Sequence, residues 1–348
     1  MKTLTADLAI FARGRAAALT GTLLACVFLA GCLGGIRQSP LAIESMRAAG
    51  VSTTLGYERQ ERGGDGFSAY LVSYQSSGLQ LYALVAVPEG QPPAAGFPVL
   101  IANHGYHPDP PRYGVTAEGV DWRPGDYYRA VPEAYTREGF LVVMPDYRGH
   151  NQSEGGEYTE GLLASSYYTL DVLALVSALS DLEQADLGNV FMWGHSMGGE
   201  ITLRALLATR AIRAASLWAP TGAPLWEQAY HYDDTGLGES GQLRKEQGID
   251  RLREQIEALP FTHRPEWSDP LNHLGHLETP LIIHHARADG SVPFEWSERL
   301  AARLHLAKRP FVLYAYDVDE HMFQGEGLAR AVDRDAAFFR SFMVQVQN

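Results

Sequence analysis

"NVFMWGHSMGGEITLRALL", residues 189–207, holds a Gly-x-Ser-x-Gly pattern between an apolar run and a run with helical spacing of its apolar residues. A serine on a sharp turn between a strand and a helix has its hydroxyl exposed at the end of the sheet. The pattern therefore predicts that Ser196 is a nucleophile. The alternative interpretation is a glycine-rich turn with only a structural role.

Apolar runs of strand length recur along the chain and alternate with helix-like stretches such as 166–182. These runs lie at residues 98–105, 140–149, 189–196, 214–220, 280–287 and 310–316. Residues 67–90 contain two further β-rich runs around "SSG", a pattern that predicts an antiparallel hairpin. Strand–helix alternation after such a start predicts an α/β fold of the α/β-hydrolase type, with a mostly parallel sheet and helices on both faces.

Residues 221–279 interrupt this alternation with aromatic residues and a charged, helix-like run. We expect a small helical lid inserted over the carboxyl edge of the sheet, although a surface helix pair without a role at the site also fits. No long Pro- or Ser-rich linker divides the chain, which favours one catalytic domain over residues 61–348. Residues 32–60 are expected to be a tether and a peripheral N-terminal segment.

Residues 1–31 have the pattern of an export signal, with basic residues before an apolar stretch. The stretch ends in "LAGC", residues 29–32, which resembles the lipobox of bacterial lipoproteins. That resemblance implies that Cys32 is lipidated and anchors the protein in the cell envelope. Leu33 in place of Asp implies the periplasmic face of the outer membrane. An ordinary signal peptide or an N-terminal membrane anchor are the alternatives.

The formal net charge of −13 disfavours binding to nucleic acid or to anionic lipid through basic residues. The two cysteines, Cys26 and Cys32, both lie in the N-terminal segment. No His-Glu-x-x-His motif is present, and His273 and His276 have no acidic third ligand at a convincing spacing. We therefore expect no metal and no cofactor. The oligomeric state is left open.

A serine hydroxyl needs a base that accepts its proton and an acid that orients the base. The chain supplies both in the order Ser, acid, His. Asp289 follows the run 280–287, and His321 follows the last predicted strand. Three other aspartates are weaker candidates for the acid because of their positions: Asp146, Asp317 and Asp319.

The tetrahedral intermediate of acyl transfer needs two N–H donors directed at its oxyanion. The backbone N–H of Met197, directly after the nucleophile, is the first candidate. The loop "NHGYHPD", residues 103–109, offers the backbone N–H of Tyr106 as the second, with Gly105 allowing close approach. The Tyr106 hydroxyl is an alternative donor.

Four motifs together resemble the catalytic domain of the prolyl oligopeptidase family. They are "REGFLVVMPDYRGHNQSEG", "GHSMGG", "ARADGSVP" and "DEHMF", within residues 95–346. The resemblance implies a serine hydrolase with Ser196, Asp289 and His321 as its triad and a small peptide or ester as substrate. Peptidases of that family usually carry a large N-terminal β-propeller, for which about 60 residues before the first strands leave no room.

The resemblance therefore supports the triad more strongly than it supports the peptide specificity of the family. A serine peptidase and a carboxylesterase, for acetyl or similar esters, both fit the sequence. A non-catalytic binding protein on a hydrolase fold is a more remote alternative, because such proteins typically lose a triad member.

Overall fold

The computed structural model describes residues 39–112, 128, 130–232 and 241–344. These residues form one nine-stranded sheet with the strand order β1-β2-β3-β5-β4-β6-β7-β8-β9. The strands are β1 (Gly56–Gly64), β2 (Phe67–Ser76), β3 (Leu79–Pro88), β4 (Phe97–Asn103), β5 (Leu141–Asp146), β6 (Ala185–His195), β7 (Ala215–Trp218), β8 (Leu281–Ala286) and β9 (Phe311–Tyr316). Strands β1, β2 and β3 pair antiparallel, β3 pairs antiparallel with β5, and the remaining pairs are parallel.

The predicted hairpin is confirmed, and its turn residues explain its register. Ser77 and Gly78 both have positive φ, 54° and 83°, as a two-residue type I′ turn requires. Each residue of β2 then pairs with its counterpart on β3, from Ser76 opposite Leu79 to Phe67 opposite Pro88.

Helices cover both faces of the sheet, as the alternation of strands and helices predicts. The helices of the described residues are α1 (Ile43–Ala48), α2 (Ala130–Arg137), α3 (Ala164–Ala178), α4 (Met197–Ala208), α5 (Leu225–Tyr232), α6 (Gly241–Glu257), α7 (Pro265–Ser268), α8 (Phe294–Leu306) and α9 (Gly325–Ser341). Successive β4 residues contribute to opposite faces: Val99 and Ile101 join one buried cluster, and Leu100 and Ala102 join the other. The first cluster includes side chains of α1, α3, α4 and α8, and the second includes side chains of α2 and α9. The α/β-hydrolase prediction is confirmed.

The segment before the hairpin contributes more to the fold than a tether would. Helix α1 packs on α4, and its Ile43 and Met46 are buried in the larger core cluster. Strand β1 begins at Gly56 and extends the sheet beside β2. Part of the range 32–60 therefore packs on the folded domain, through apolar side chains of α1. The predicted signal at 1–31 and Cys32 lie outside the described residues.

The insertion at 221–279 is helical where it is described. It contains α5, α6, α7 and two short 3₁₀ turns, Pro270–Asn272 and Leu274–His276. Leu225, Ala229 and Leu252 of the insertion form a separate apolar cluster with Leu163, which lies just before α3. Within the described ranges, no helix is long and apolar enough to span a membrane.

The turn after β5 is held by a buried ion pair. Its two members are Arg148, which follows β5, and Asp171 of α3. Arg148 Nη2 donates to Asp171 Oδ1 at 2.6 Å, and Arg148 Nε donates to Asp171 Oδ2 at 3.0 Å. The two side chains are 2% and 0% exposed. The pattern "PDYRGH" could not reveal this partner, because Asp171 lies 23 residues downstream.

Replacement of Asp171 by Ala should reduce the free energy of unfolding by about 3–5 kcal/mol, because it leaves the Arg148 guanidinium buried without its counter-ion. Urea denaturation measures the change. The matched control is Glu278→Ala, which breaks the exposed pair of Arg210 and Glu278 (77% and 58% exposed) and should cost less than about 1 kcal/mol. Equal losses in the two variants would contradict this interpretation of the buried pair.

Candidate active site

Ser196 occupies a strained turn between β6 and α4. Its φ and ψ are 57° and −123°, outside the regions that L-residues normally adopt. Backbone hydrogen bonds hold the turn: the Ser196 N–H donates to Trp218 O at 2.9 Å, and Ser196 O accepts from the Thr221 N–H at 3.1 Å. The serine is therefore fixed against the end of β7 and the chain that follows it.

The glycines on either side of Ser196 allow strand and helix to approach closely. A Cβ on Gly194 would lie 2.2 Å from Gly198 O, and a Cβ on Gly198 would lie 2.0 Å from Asn103 O. Both distances are shorter than any real carbon–oxygen contact in proteins. Residues with a side chain therefore do not fit at these two positions.

Asp289 and His321 are brought together from the ends of β8 and β9. His321 Nδ1 lies 2.7 Å from Asp289 Oδ2, and the aspartate side chain is fully buried while the imidazole is 21% exposed. The N–H groups of Ser291 and Val292 donate to Asp289 Oδ1 at 2.8 and 3.0 Å. These contacts fix the carboxylate and leave one oxygen for the imidazole.

The surroundings of Asp289 keep it ionised. Burial by itself raises the pKa of the carboxyl. This effect is outweighed by hydrogen bonds from His285 and His321, by the charge of His321 and by the Val292 N–H, all of which lower the pKa. The pKa is therefore well below the usual value for aspartate. The competing aspartates are placed differently: Asp317 pairs with Arg287 at the surface, and Asp146 accepts a hydrogen bond from Asn151.

A cavity of about 680 Å³ is lined by four residues that the sequence predicts to act on the substrate: Ser196, His321, Met197 and Tyr106. Within the described part of the chain, no hydrogen bond joins Ser196 Oγ to His321. Catalytic hydrogen bonds of this kind are often long without substrate and shorten only in the complex. The cavity volume is in the range of sites that take small molecules.

Two residues that line this cavity have backbone N–H groups without an acceptor among the described residues. Neither the Met197 N–H nor the Tyr106 N–H donates a hydrogen bond among the described residues. Gly105 packs against the serine, since a Cβ on it would lie 3.1 Å from Ser196 Cβ. The two amides therefore border the position of the nucleophile, as an oxyanion site requires.

A buried chain of hydrogen bonds, not foreseen from the sequence, connects the two loops of the site. The Gly105 N–H donates to the Tyr128 hydroxyl at 2.7 Å, and that hydroxyl contacts His195 Nδ1. His195 Nε2 lies 2.9 Å from the carbonyl oxygen of His321. A carbonyl only accepts, so Nε2 carries the proton and the Tyr128 hydroxyl donates to Nδ1.

His195 is neutral in this arrangement. Burial, followed by the repulsion of His321, lowers its pKa to about 3, although the His321 carbonyl and Asp289 act in the opposite direction. The His195 ring is directed at Tyr128 and at the carbonyl oxygen of His321. Its function in the fold is to hold the backbone that carries His321.

The floor of the cavity contains a second polar group that the sequence did not indicate. Glu200, one turn after Ser196, is buried and accepts hydrogen bonds from Arg204 at 2.5 Å and from Gln228 at 3.0 Å. Burial raises the pKa of Glu200, and the charge of Arg204 offsets this only in part. Gln228 belongs to α5, so this contact joins the nucleophile helix to the insertion.

The insertion lines a large part of the cavity. Gln228 and Tyr232 of α5 face it, as do Arg251 and Leu252 of α6. A substrate that fills the cavity beside Ser196 would therefore contact these two helices. Two other histidines, His284 and His285, are buried in β8, where His284 contacts Asp335 and His285 contacts Ser297.

Comparison with known proteins identifies the family. A family model described as the prolyl oligopeptidase family matches residues 127–346, a range that includes Ser196, Asp289 and His321. The chain belongs to the prolyl oligopeptidase family. It is a serine hydrolase with the α/β-hydrolase fold of that family.

Individual relatives include both peptidases and esterases. The uncharacterized peptidase YtmA of Bacillus subtilis (strain 168) is 22% identical over 256 residues, 73% of this chain and 86% of the relative. Dipeptidyl peptidase 4 of Porphyromonas gingivalis superimposes with a TM-score of 0.57 at 19% identity, covering 82% of this chain and 36% of that one. Acetyl xylan esterase from Paenibacillus sp. R4 gives a TM-score of 0.60 at 17% identity, covering 86% and 92%.

These likenesses establish a shared fold. This chain spans only about a third of the length of the dipeptidyl peptidase, in contrast to almost the whole esterase chain.

Proposed function

We propose that this protein hydrolyses the acyl bond of small peptides or carboxylic esters through Ser196, His321 and Asp289. The observation that carries the proposal is the 2.7 Å contact between His321 and buried Asp289, at the same cavity as the strained serine. Asp289 holds the imidazole with Nδ1 protonated, so that Nε2 is the basic nitrogen.

In the first step, Ser196 Oγ attacks the carbonyl carbon while His321 Nε2 takes the hydroxyl proton. The Met197 and Tyr106 N–H groups bind the oxyanion of the tetrahedral intermediate. His321 then returns the proton to the leaving alcohol or amine, and the acyl group remains on Ser196. Water, activated by His321, releases the acid and restores the serine.

Two substrate classes fit this site, and different observations support them. The family description and the name of the Bacillus subtilis relative support a peptidase. The compact cavity beneath α5 and α6 supports a carboxylesterase that acts on small acyl groups. An amide demands more of the triad than an ester does, because the leaving amine must be protonated as it departs.

We also propose that residues 1–31 are a lipoprotein signal peptide and that Cys32 carries the lipid. The support is the "LAGC" sequence directly after an apolar stretch. Several acyl chains on one cysteine give stable anchoring, which a single chain does not. With Leu33 after the cysteine, the enzyme would lie on the periplasmic face of the outer membrane.

The acid of the triad is tested by Asp289→Asn, which should lower kcat by about 10⁴-fold, since the amide stabilises the wrong tautomer of His321. Asp317→Asn is the control, because this exposed aspartate is nearby in sequence but pairs with Arg287. Its kcat should stay within about twofold of the wild type. If instead Asp317→Asn were the damaging change, the assignment of Asp289 would be wrong.

The substrate class is tested by kcat/KM for a p-nitrophenyl acyl ester and for a matched peptidyl p-nitroanilide. Ser196→Ala should abolish both activities, with a loss of about five to six orders of magnitude in kcat. Efficient amide cleavage would establish a peptidase, and cleavage of the ester alone would establish an esterase. Retention of either activity by Ser196→Ala would overturn the mechanism.

The anchor is tested by Cys32→Ala in a Gram-negative host that processes lipoproteins. Wild-type protein should sediment with outer membranes and be released by detergent. The variant should either keep its signal peptide or, once processed, no longer be attached to the membrane. Metabolic labelling with a palmitate analogue measures this, and label should be lost only in Cys32→Ala. Cys26→Ala, within the apolar stretch, is the control and should remain labelled. Equal labelling of both variants would contradict lipidation at Cys32.

A further inference from the structure

Two histidines and a glutamate from distant parts of the chain meet at the surface, on the first helix and the 270–276 turns. Glu44 Oε1 of α1 lies 3.6 Å from His273 Nδ1 and 3.3 Å from His276 Nε2. One potential ligand atom from each residue lies within 4.8 Å of the other two. Among the described residues, no other group of three His, Cys, Asp or Glu side chains meets that criterion.

The two distances from Glu44 fit a tetrahedral metal ion. Zinc bound to imidazole nitrogen and carboxylate oxygen at about 2.0–2.1 Å places neighbouring ligand atoms about 3.3–3.4 Å apart. The two measured separations are within a few tenths of an ångström of that value. Two histidines and one glutamate also form a set of ligands that zinc uses in proteins.

The fold holds the glutamate in place. Ile43 and Met46, on either side of Glu44, are buried in the core and anchor the short helix. Arg47 Nη1 donates to Leu207 O at 2.6 Å, and its Nε lies 3.7 Å from Glu44 Oε2. The guanidinium therefore occupies one side of the carboxylate, while Oε1 is directed at the two imidazoles.

The imidazoles are available as ligands. The nitrogens that face the glutamate, His273 Nδ1 and His276 Nε2, make no hydrogen bond to any other described residue. His276 is 49% exposed and borders a cavity of about 410 Å³, which Arg47 and Glu278 also line. That opening gives water access to a fourth ligand position.

We propose that Glu44, His273 and His276 bind one zinc ion that fastens α1 to the 270–276 turns. The site shares no residue with the cavity at Ser196, so its role is to hold the N-terminal segment on the domain. The spacing of the two histidines alone did not predict it, since the third ligand lies more than 220 residues earlier in the chain.

The test is zinc binding by the full-length chain, purified in detergent, freed of metal and titrated at pH 7.5 by calorimetry. Removal of one ligand in His276→Ala or Glu44→Gln should weaken the binding of one zinc equivalent by more than about 100-fold, beyond the usual effect of losing a second-shell partner. His305→Ala, an exposed histidine of α8, is the control and should bind as the wild type does. The N-terminal segment is the same in every variant, so the difference between variants reports this site alone.

Thermal unfolding gives the second readout. Zinc should raise the Tm of the wild type and of His305→Ala, since a ligand of the folded state stabilises it. It should not raise the Tm of His276→Ala or Glu44→Gln, whose metal-free Tm should equal that of the wild type. Magnesium, which prefers oxygen ligands, should not replace zinc. Equal zinc affinity in all four proteins, or no zinc binding by the wild type, would overturn the proposal.

Discussion

The close approach of β6 and α4 at Ser196 is the constraint on which the rest of the site depends. Without side chains at Gly194 and Gly198, the helix can begin directly at the end of the strand, and the serine between them adopts a positive φ. That geometry leaves the Met197 N–H at the start of a helix, where it has no intrahelical partner. One turn thus supplies both the nucleophile and an N–H donor to the oxyanion that forms when the nucleophile attacks.

The base of the triad is positioned in a different way, because His321 lies on a loop after β9. Its imidazole is oriented by Asp289, and its backbone is held by His195, the residue that precedes the serine. The same histidine reaches Gly105 through Tyr128. The strand that presents the nucleophile therefore also fixes the loops of the base and of the oxyanion donor. A neutral, buried His195 suits this function, because a charge there would repel the imidazolium that forms during catalysis.

The sequence predicts those features that short segments encode. Apolar runs bounded by Gly and Pro predicted strands β2 to β9, and the order of Ser196, Asp289 and His321 predicted the residues that the fold brings to the site. The features it did not predict are pairs of distant residues: Asp171 for Arg148, Tyr128 for His195, and Glu44 beside His273. Such partners are chosen by tertiary packing, and neither member carries a local pattern that identifies the other. The role of α1 was missed for the same reason, since six residues are too few to show an apolar periodicity.

The insertion contributes a fixed helix to the wall of the cavity. Helix α5 is fixed to the domain at two points, by Gln228 on Glu200 and by Glu227 on Trp296 and Arg299. The contact with Glu200 is buried, so breaking it would leave a carboxylate without one of its donors in a dry environment. The wall of the cavity that α5 forms is therefore joined directly to the nucleophile helix. A substrate that fills this cavity would therefore meet a wall whose position depends on the same buried carboxylate as the helix behind Ser196.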